Sequence, residues 1–313
     1  MNREQTWKNF DLGTEIDVAG TFIYNGVRCF HEMQTLDHAE ELFDFLYNVS
    51  VGLERLLKVA IILLEHDNIE DQDKFEKSLI THIHLDLISR VKKRAELQLA
   101  TPHNDFLNML GTFYKSFRYD RFNLSASWQP DKEKAALREY FEKNLKVTFE
   151  PKSSIFPTQN TDKLRKHIGN VVGKISNQLF EVVRQAACNL NLDTYELRHE
   201  SKAAKIFLKE EYDFKSEDVL WKELLVFFMN TKANTGLLDF LRTIEPLDFD
   251  PALTPEYLQC FQSEVSKMSV MGELEEHYLN IENKRERLEK IGLIGNPMVC
   301  FDISEDEENI EFE

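Results

Sequence analysis

The stretch LFDFLYNVSVGLERLLKVAIILLEH, Leu42 to His66, decides the fold. Leu42, Leu46, Val49, Leu53, Leu56, Ala60 and Leu63 recur at alternating spacings of four and three. That interval brings side chains onto one stripe of an α-helix. Glu40, Asp44, Asn48 and Lys58 fall on other faces. The pattern predicts a helix from about Asp37 to His66, with an apolar stripe suited to a bundle core or a dimer seam.

Downstream, HDNIEDQD, His66 to Asp73, forms a connecting turn. A second helix covers about Lys74 to Leu97 and stops at Thr101-Pro102, because the residue before a proline disfavours helical backbone. A third starts near His103 and carries FYKSFRYDRFNL, Phe113 to Leu124. Trp128-Gln129-Pro130 opens a further helix through AALREYFEKNL, with Pro130 suited to a first helical turn. Upstream, AGTFIYNGVRCF alternates loosely around Asn25-Gly26. Both of those residues tolerate positive φ, so a small β-hairpin is expected ahead of the helices.

The strongest break is VTFEPKSSIFPTQN, Val147 to Asn160. It predicts a helical bundle over 1–146, a linker over 147–160, a second helical domain over 161–300 and a disordered acidic tail over 301–313. Within the second domain, helices are expected over Thr161–Leu190, Thr194–Glu211, the VLWKELLVFFM run behind Ser216-Glu217-Asp218, GLLDFLRTI, and a long final stretch from about Pro255 to Lys290. The fold class is all-α.

Charge and composition bound the function. The net charge is −17, of which the last twelve residues supply −7. A body this acidic repels polyanions, which argues against general duplex DNA or RNA binding. The local exception is Arg90-Val91-Lys92-Lys93-Arg94, a candidate contact patch or a solvated helix end. Cys29, Cys188, Cys260 and Cys300 are far apart and form no paired thiolate motif. The longest aliphatic run, Val59 to Leu64, is too short to span a bilayer, and the polar N-terminus is unlike a signal peptide. A cytoplasmic protein with free thiols and no cofactor is expected.

Catalytic motifs are sparse. Gly169-Asn170-Val171-Val172-Gly173-Lys174-Ile175 departs from a phosphate loop, with three residues between its glycines and isoleucine after the lysine. Glu196-Leu197-Arg198-His199 is a single Glu-x-x-His, where a di-iron bundle uses two. His82 and His84, two apart on the predicted helix, face different ways, so no metal site is expected. No Gly-x-Ser-x-Gly is present.

Three short motifs resemble the HEPN superfamily of helical bundles. They are Gly52-Leu53-Glu54-Arg55-Leu56-Leu57-Lys58, Thr81-His82-Ile83-His84-Leu85-Asp86-Leu87 and Phe117-Arg118-Tyr119, within residues 36–125. The resemblance implies a bundle that binds a protein partner, a second copy of itself or a nucleotide, in a prokaryotic stress, toxin–antitoxin or phage-defence setting. Active members share a metal-independent ribonuclease motif, an arginine followed after four to six residues by a histidine. Here Arg118 is followed at that spacing by Asn123, Leu124 and Ser125, and Arg121 by Ala126, Ser127 and Trp128. A non-catalytic role is therefore the leading expectation. A ribonuclease with a displaced site, drawing on His84, Arg118 and Tyr119, is the alternative, and a purely structural scaffold the third. Arg118 flanks an aromatic face. It is read as the partner of Glu54 in a structural ion pair, or with Arg90, Lys92, Lys93, Arg94 and Arg121 as a ligand or partner contact.

Overall fold

A computed structural model describes residues 2–66, 71–120, 122–124, 131–149, 157–233, 235–296, 298–299 and 301. Among them the chain is helical, with no strand beyond an isolated bridge between Thr35 and Gln159. It divides into two compact units, Met1–Phe214 and Lys215–Glu313.

The first unit is built around two long helices, α1 (Leu12–Glu32) and α2 (Ala39–Glu65). The expected hairpin is absent, and its residues form the C-terminal half of α1. The reason lies in a stripe that the Asn-Gly pair obscured: Ile16, Ala19, Ile23, Val27 and Phe30 recur at helical spacing and are buried. Gly26 serves a close helix crossing instead of a turn. A β-carbon there would lie 3.0 Å from the backbone nitrogen of Val49 and 3.1 Å from the carbonyl of Phe45. Gly52 does the same in the opposite direction, 2.9 Å from the carbonyl of Ala19.

The predicted second helix is two helices, α3 (Gln72–Ser78) and α4 (His84–Lys92). Only Phe75 of α3 is buried, whereas His84, Leu87, Ile88 and Val91 of α4 face the core. Two different faces are used, so one continuous rod would not bury both. Next, α5 (Thr101–Thr112) runs into a π-helical turn, Phe113–Phe117, and a last turn, Arg118–Asp120. Then come α6 (Lys132–Leu145), α7 (Asp162–Asn189) and α8 (Lys202–Phe207). Trp128 to Pro130 lie outside the described residues.

The boundary expected at 147–160 falls inside this unit. Asn160 is buried, and its side-chain amide donates to the carbonyls of Phe30 (2.7 Å) and Met33 (3.0 Å) at the end of α1. The backbone of Leu36 donates to Thr158 and that of Asn160 to Gln34. Beyond this strap, α7 packs on α2 and α5, burying Leu164, Ile168, Val172, Ile175, Leu179 and Val183. Gly169 and Gly173 of the loop-like motif admit Tyr212 against α7, so they serve helix packing. The helix expected over Thr194–Glu211 shrinks to α8, and Glu196 and His199 sit in turns before it.

The second unit contains α9 (Lys215–Asn230), α10 (Gly236–Arg242), α11 (Thr254–Gln259), α12 (Glu264–Asn280) and α13 (Lys284–Ile291). The single long helix expected from Pro255 to Lys290 is thus three, α11 to α13. Trp221 stacks on Phe261 at 5.6 Å, and Tyr257 donates to Glu273 at 2.8 Å. The acidic tail from residue 302 lies outside the described residues. Among those described, no helix is long and apolar enough to cross a membrane.

Candidate functional site

A groove of 480 Å³ opens along α1 and α2 of the first unit. Its aromatic wall is Phe22, Tyr47 and Tyr114; its polar floor is Glu54, Arg55, Lys58 and His82. Helix α2 places the floor. Glu54, Arg55 and Lys58 lie within four residues, so consecutive turns present them to one side. The π-helical turn at Phe113–Phe117 widens the helix where Tyr114 enters, a distortion frequent at functional sites.

Glu54 organises this floor. The residue is 7% exposed, and its carboxylate accepts from Lys58 Nζ at 2.6 Å and lies 3.0 Å from Nδ1 of His82. With Nδ1 donating to Glu54, a neutral His82 ring keeps Nε2 as an acceptor, and half of that side chain is exposed. Arg55 pairs with Glu15 of α1 and lies over the Phe22 ring at 5.8 Å. The His82 ring rests against Tyr114 at 4.9 Å, and Tyr114 runs nearly parallel to Tyr47. Burial, with the nearby Glu54 carboxylate, pushes the Tyr114 hydroxyl up from its ordinary value of 10.0 and keeps it protonated.

Arg118 stacks over Tyr114 at 3.9 Å and over Tyr119 at 4.5 Å, and donates to the Tyr119 hydroxyl at 2.6 Å. The expected ion pair between Glu54 and Arg118 is therefore not formed. Lys58 and His82 occupy the carboxylate, and Tyr114 provides a ring for the guanidinium. His84 is displaced from the candidate role too. It is fully buried, its Nε2 bonded to the Ser50 carbonyl at 2.9 Å, and burial pushes its pKa below the usual imidazole value. Tyr119 keeps half its surface exposed beside Arg118.

The basic patch loses its first member. Arg90 forms a two-pronged pair with Glu65 and lies over the Phe75 ring. Lys92, Lys93 and Arg94 are exposed at the C-terminal end of α4, where cations complement the helix dipole. Arg121 lies outside the described residues. Among the described residues no group of three or more potential ligands could hold a metal ion, and Cys29, Cys188 and Cys260 are free thiols.

The floor residue passed over in the sequence was His82, because it was placed on a helix. It precedes α4 in extended chain, which frees its ring to reach Glu54 while His84 enters the core. Tyr47 carried no signal beyond its position about three turns before Lys58 on α2. Compared with family models, with curated proteins and with solved structures, the chain matches none.

Proposed function

We propose that the first unit is a non-catalytic, HEPN-like binding module whose groove takes a nucleotide. The observation that carries this is the juxtaposition of the Tyr47–Tyr114 wall with Lys58, Arg55 and the Arg118 guanidinium. Aromatic rings offer a base a stacking surface, and neighbouring cations offer its phosphates a counter-charge. The groove's volume lies in the range of small-molecule sites. Glu15 and Glu54 offset Arg55 and Lys58, while Arg118 has no carboxylate partner among the described residues, which leaves one net positive charge at the Tyr114 end. The HEPN resemblance rests on the short motifs around Glu54, His82 and Arg118. That resemblance supplies the cytoplasmic setting and the proposed place in a prokaryotic stress, toxin–antitoxin or phage-defence system.

The test is calorimetric titration of the full chain with purine and pyrimidine mononucleotides and their di- and triphosphates. Saturable binding is expected, lost in Tyr114→Ala and weakened in Arg118→Ala, with Lys92→Ala unaffected. Absence of binding by every nucleotide at millimolar concentration would remove this reading.

One observation favours a second reading, a metal-independent ribonuclease. The Glu54 carboxylate orients His82 so that Nε2 could accept a proton from a ribose 2′-hydroxyl, with Lys58 and Arg118 beside the phosphate. Incubation with mixed RNA in the presence of a chelator distinguishes the two. Cleavage by the wild type that disappears in His82→Ala would establish catalysis at this site; intact RNA retains the binding module.

A further inference from the structure

Helix α9 of the second unit carries an apolar load that its own unit does not cover. At 3.6 residues per turn, Trp221 and Leu225 share the side turned inward, fixed by the stack of Trp221 on Phe261. Leu220, Leu224 and Phe227 follow at spacings of four and three, and Phe228 adjoins them. These four define a neighbouring face, and they are 59%, 44%, 49% and 52% exposed. Lys222 lies away from that face, on a side it shares with Val219, Val226 and Met229, where its charge interrupts the apolar surface, and Glu223 lies at the rim.

We propose that this face is where two copies of the chain associate, their α9 helices antiparallel about a two-fold axis at Leu224. The area fits such a pair. Four large side chains about half exposed offer roughly 450 Å². Two copies of these side chains offer about 900 Å², and the flanking Glu217, Glu223 and Thr231 would bring the pair toward the roughly 1,200 Å² at the lower end of specific interfaces.

The face also complements itself under a two-fold rotation. An axis at Leu224 sets Leu220 against Phe228 of the second copy, a smaller side chain against a larger one, and Leu224 against its own image. The antiparallel arrangement brings the acidic first turn, with Glu217 and Asp218, beside Lys232 of the second copy, and it pairs opposite helix dipoles. An anionic lipid surface is the poorer occupant, because the chain carries −17 and Glu223 borders the face.

Sedimentation velocity on the full chain tests this. The wild type is expected to be a dimer at micromolar concentration. Leu224→Glu places two carboxylates on the axis and should weaken the dimer roughly 100-fold or more, while Lys222→Glu leaves it intact. Circular dichroism checks that the variants stay folded. Leu224→Cys provides a second measurement that keeps the native fold: under mild oxidant it should cross-link to a dimer far faster than Lys222→Cys. A wild type that remains monomeric to about 100 µM, well above the dissociation constants of specific pairs, would overturn the proposal. So would a Leu224→Glu protein that is folded and still dimeric, or equal cross-linking of the two cysteine variants. If the face serves a different protein instead, the wild type sediments as a monomer and the proposal falls.

Discussion

The carboxylate of Glu54 and Nδ1 of His82 meet at 3.0 Å, joining the middle of one helix to the extended segment that precedes another. The segment between α3 and α4 is thereby held against α2, and the same carboxylate receives Lys58. Structure and site share one residue here, and its loss should register in both.

Glu54→Ala removes an acceptor that is nine-tenths enclosed and serves two donors. Lys58 and His82 retain partial access to water, so both can rehydrate. The expected loss of stability is about 1–2 kcal/mol, below that of stranding a fully buried charge. Urea unfolding of wild type and variant measures it. Glu54→Gln, which keeps the shape but weakens both contacts, should fall between them.

For Arg118→Ala the structure predicts a small change. Membership of a buried ion pair would cost about 3–5 kcal/mol on truncation. A guanidinium stacked on Tyr114 and Tyr119 is worth about 0.5–1 kcal/mol at a partly exposed site. The melting temperature should therefore drop by only a few degrees, while nucleotide titration should show weaker binding. A large loss of stability with unchanged binding would assign Arg118 to architecture.

The all-α architecture was legible because apolar periodicity is a local property. The Leu42-to-Leu63 stripe requires a helix whatever surrounds it, and α2 and α7 run within a few residues of their predicted limits. The site was less legible. His82 and Glu54 are 28 positions apart, and nothing in either neighbourhood specifies that they meet. The linker reading failed for a similar reason. Residues 157–160 look like a break because Pro157 and the polar side chains after it disfavour a helix, yet Asn160 uses its amide to close the end of α1.

Gly26 shows the same ambiguity and yields a prediction. In an exposed helix, alanine is better than glycine by about 1 kcal/mol. Here a β-carbon would meet the Val49 side chain at 2.6 Å and the backbone of α2 at 3.0 Å. The backbone contact cannot be relieved by a rotamer change, so α1 and α2 must separate. Gly26→Ala should destabilise the first unit by about 1–3 kcal/mol. Thermal unfolding followed by circular dichroism checks this. A stabilised variant would mean that the two helices do not approach this closely.

His84 supplies a dependence on pH. In the folded chain burial holds its imidazole neutral, with a pKa below the ordinary 6.5 that it regains on unfolding. Between those two values the unfolded chain binds the extra proton, so stability falls as pH drops from about 6.5 and levels off below the folded value. Above that window His84 leaves stability independent of pH. His103 and His167, also lowered by burial, act with the same sign. The salt-bridged Glu4 and Glu181 have pKa values below 4.5 and act only in more acid solution, whereas burial raises the Glu41 carboxyl above 4.5 and gives it the opposite sign, so a comparison with a His84 variant is what separates the histidine's share. Urea midpoints between about pH 5.5 and 7.5 should decline toward the acid side for the wild type. His84→Asn loses packing but cannot take up the proton, so its midpoints should start lower and decline less. Parallel curves for the two proteins would show that His84 is not the group whose protonation unfolds the bundle.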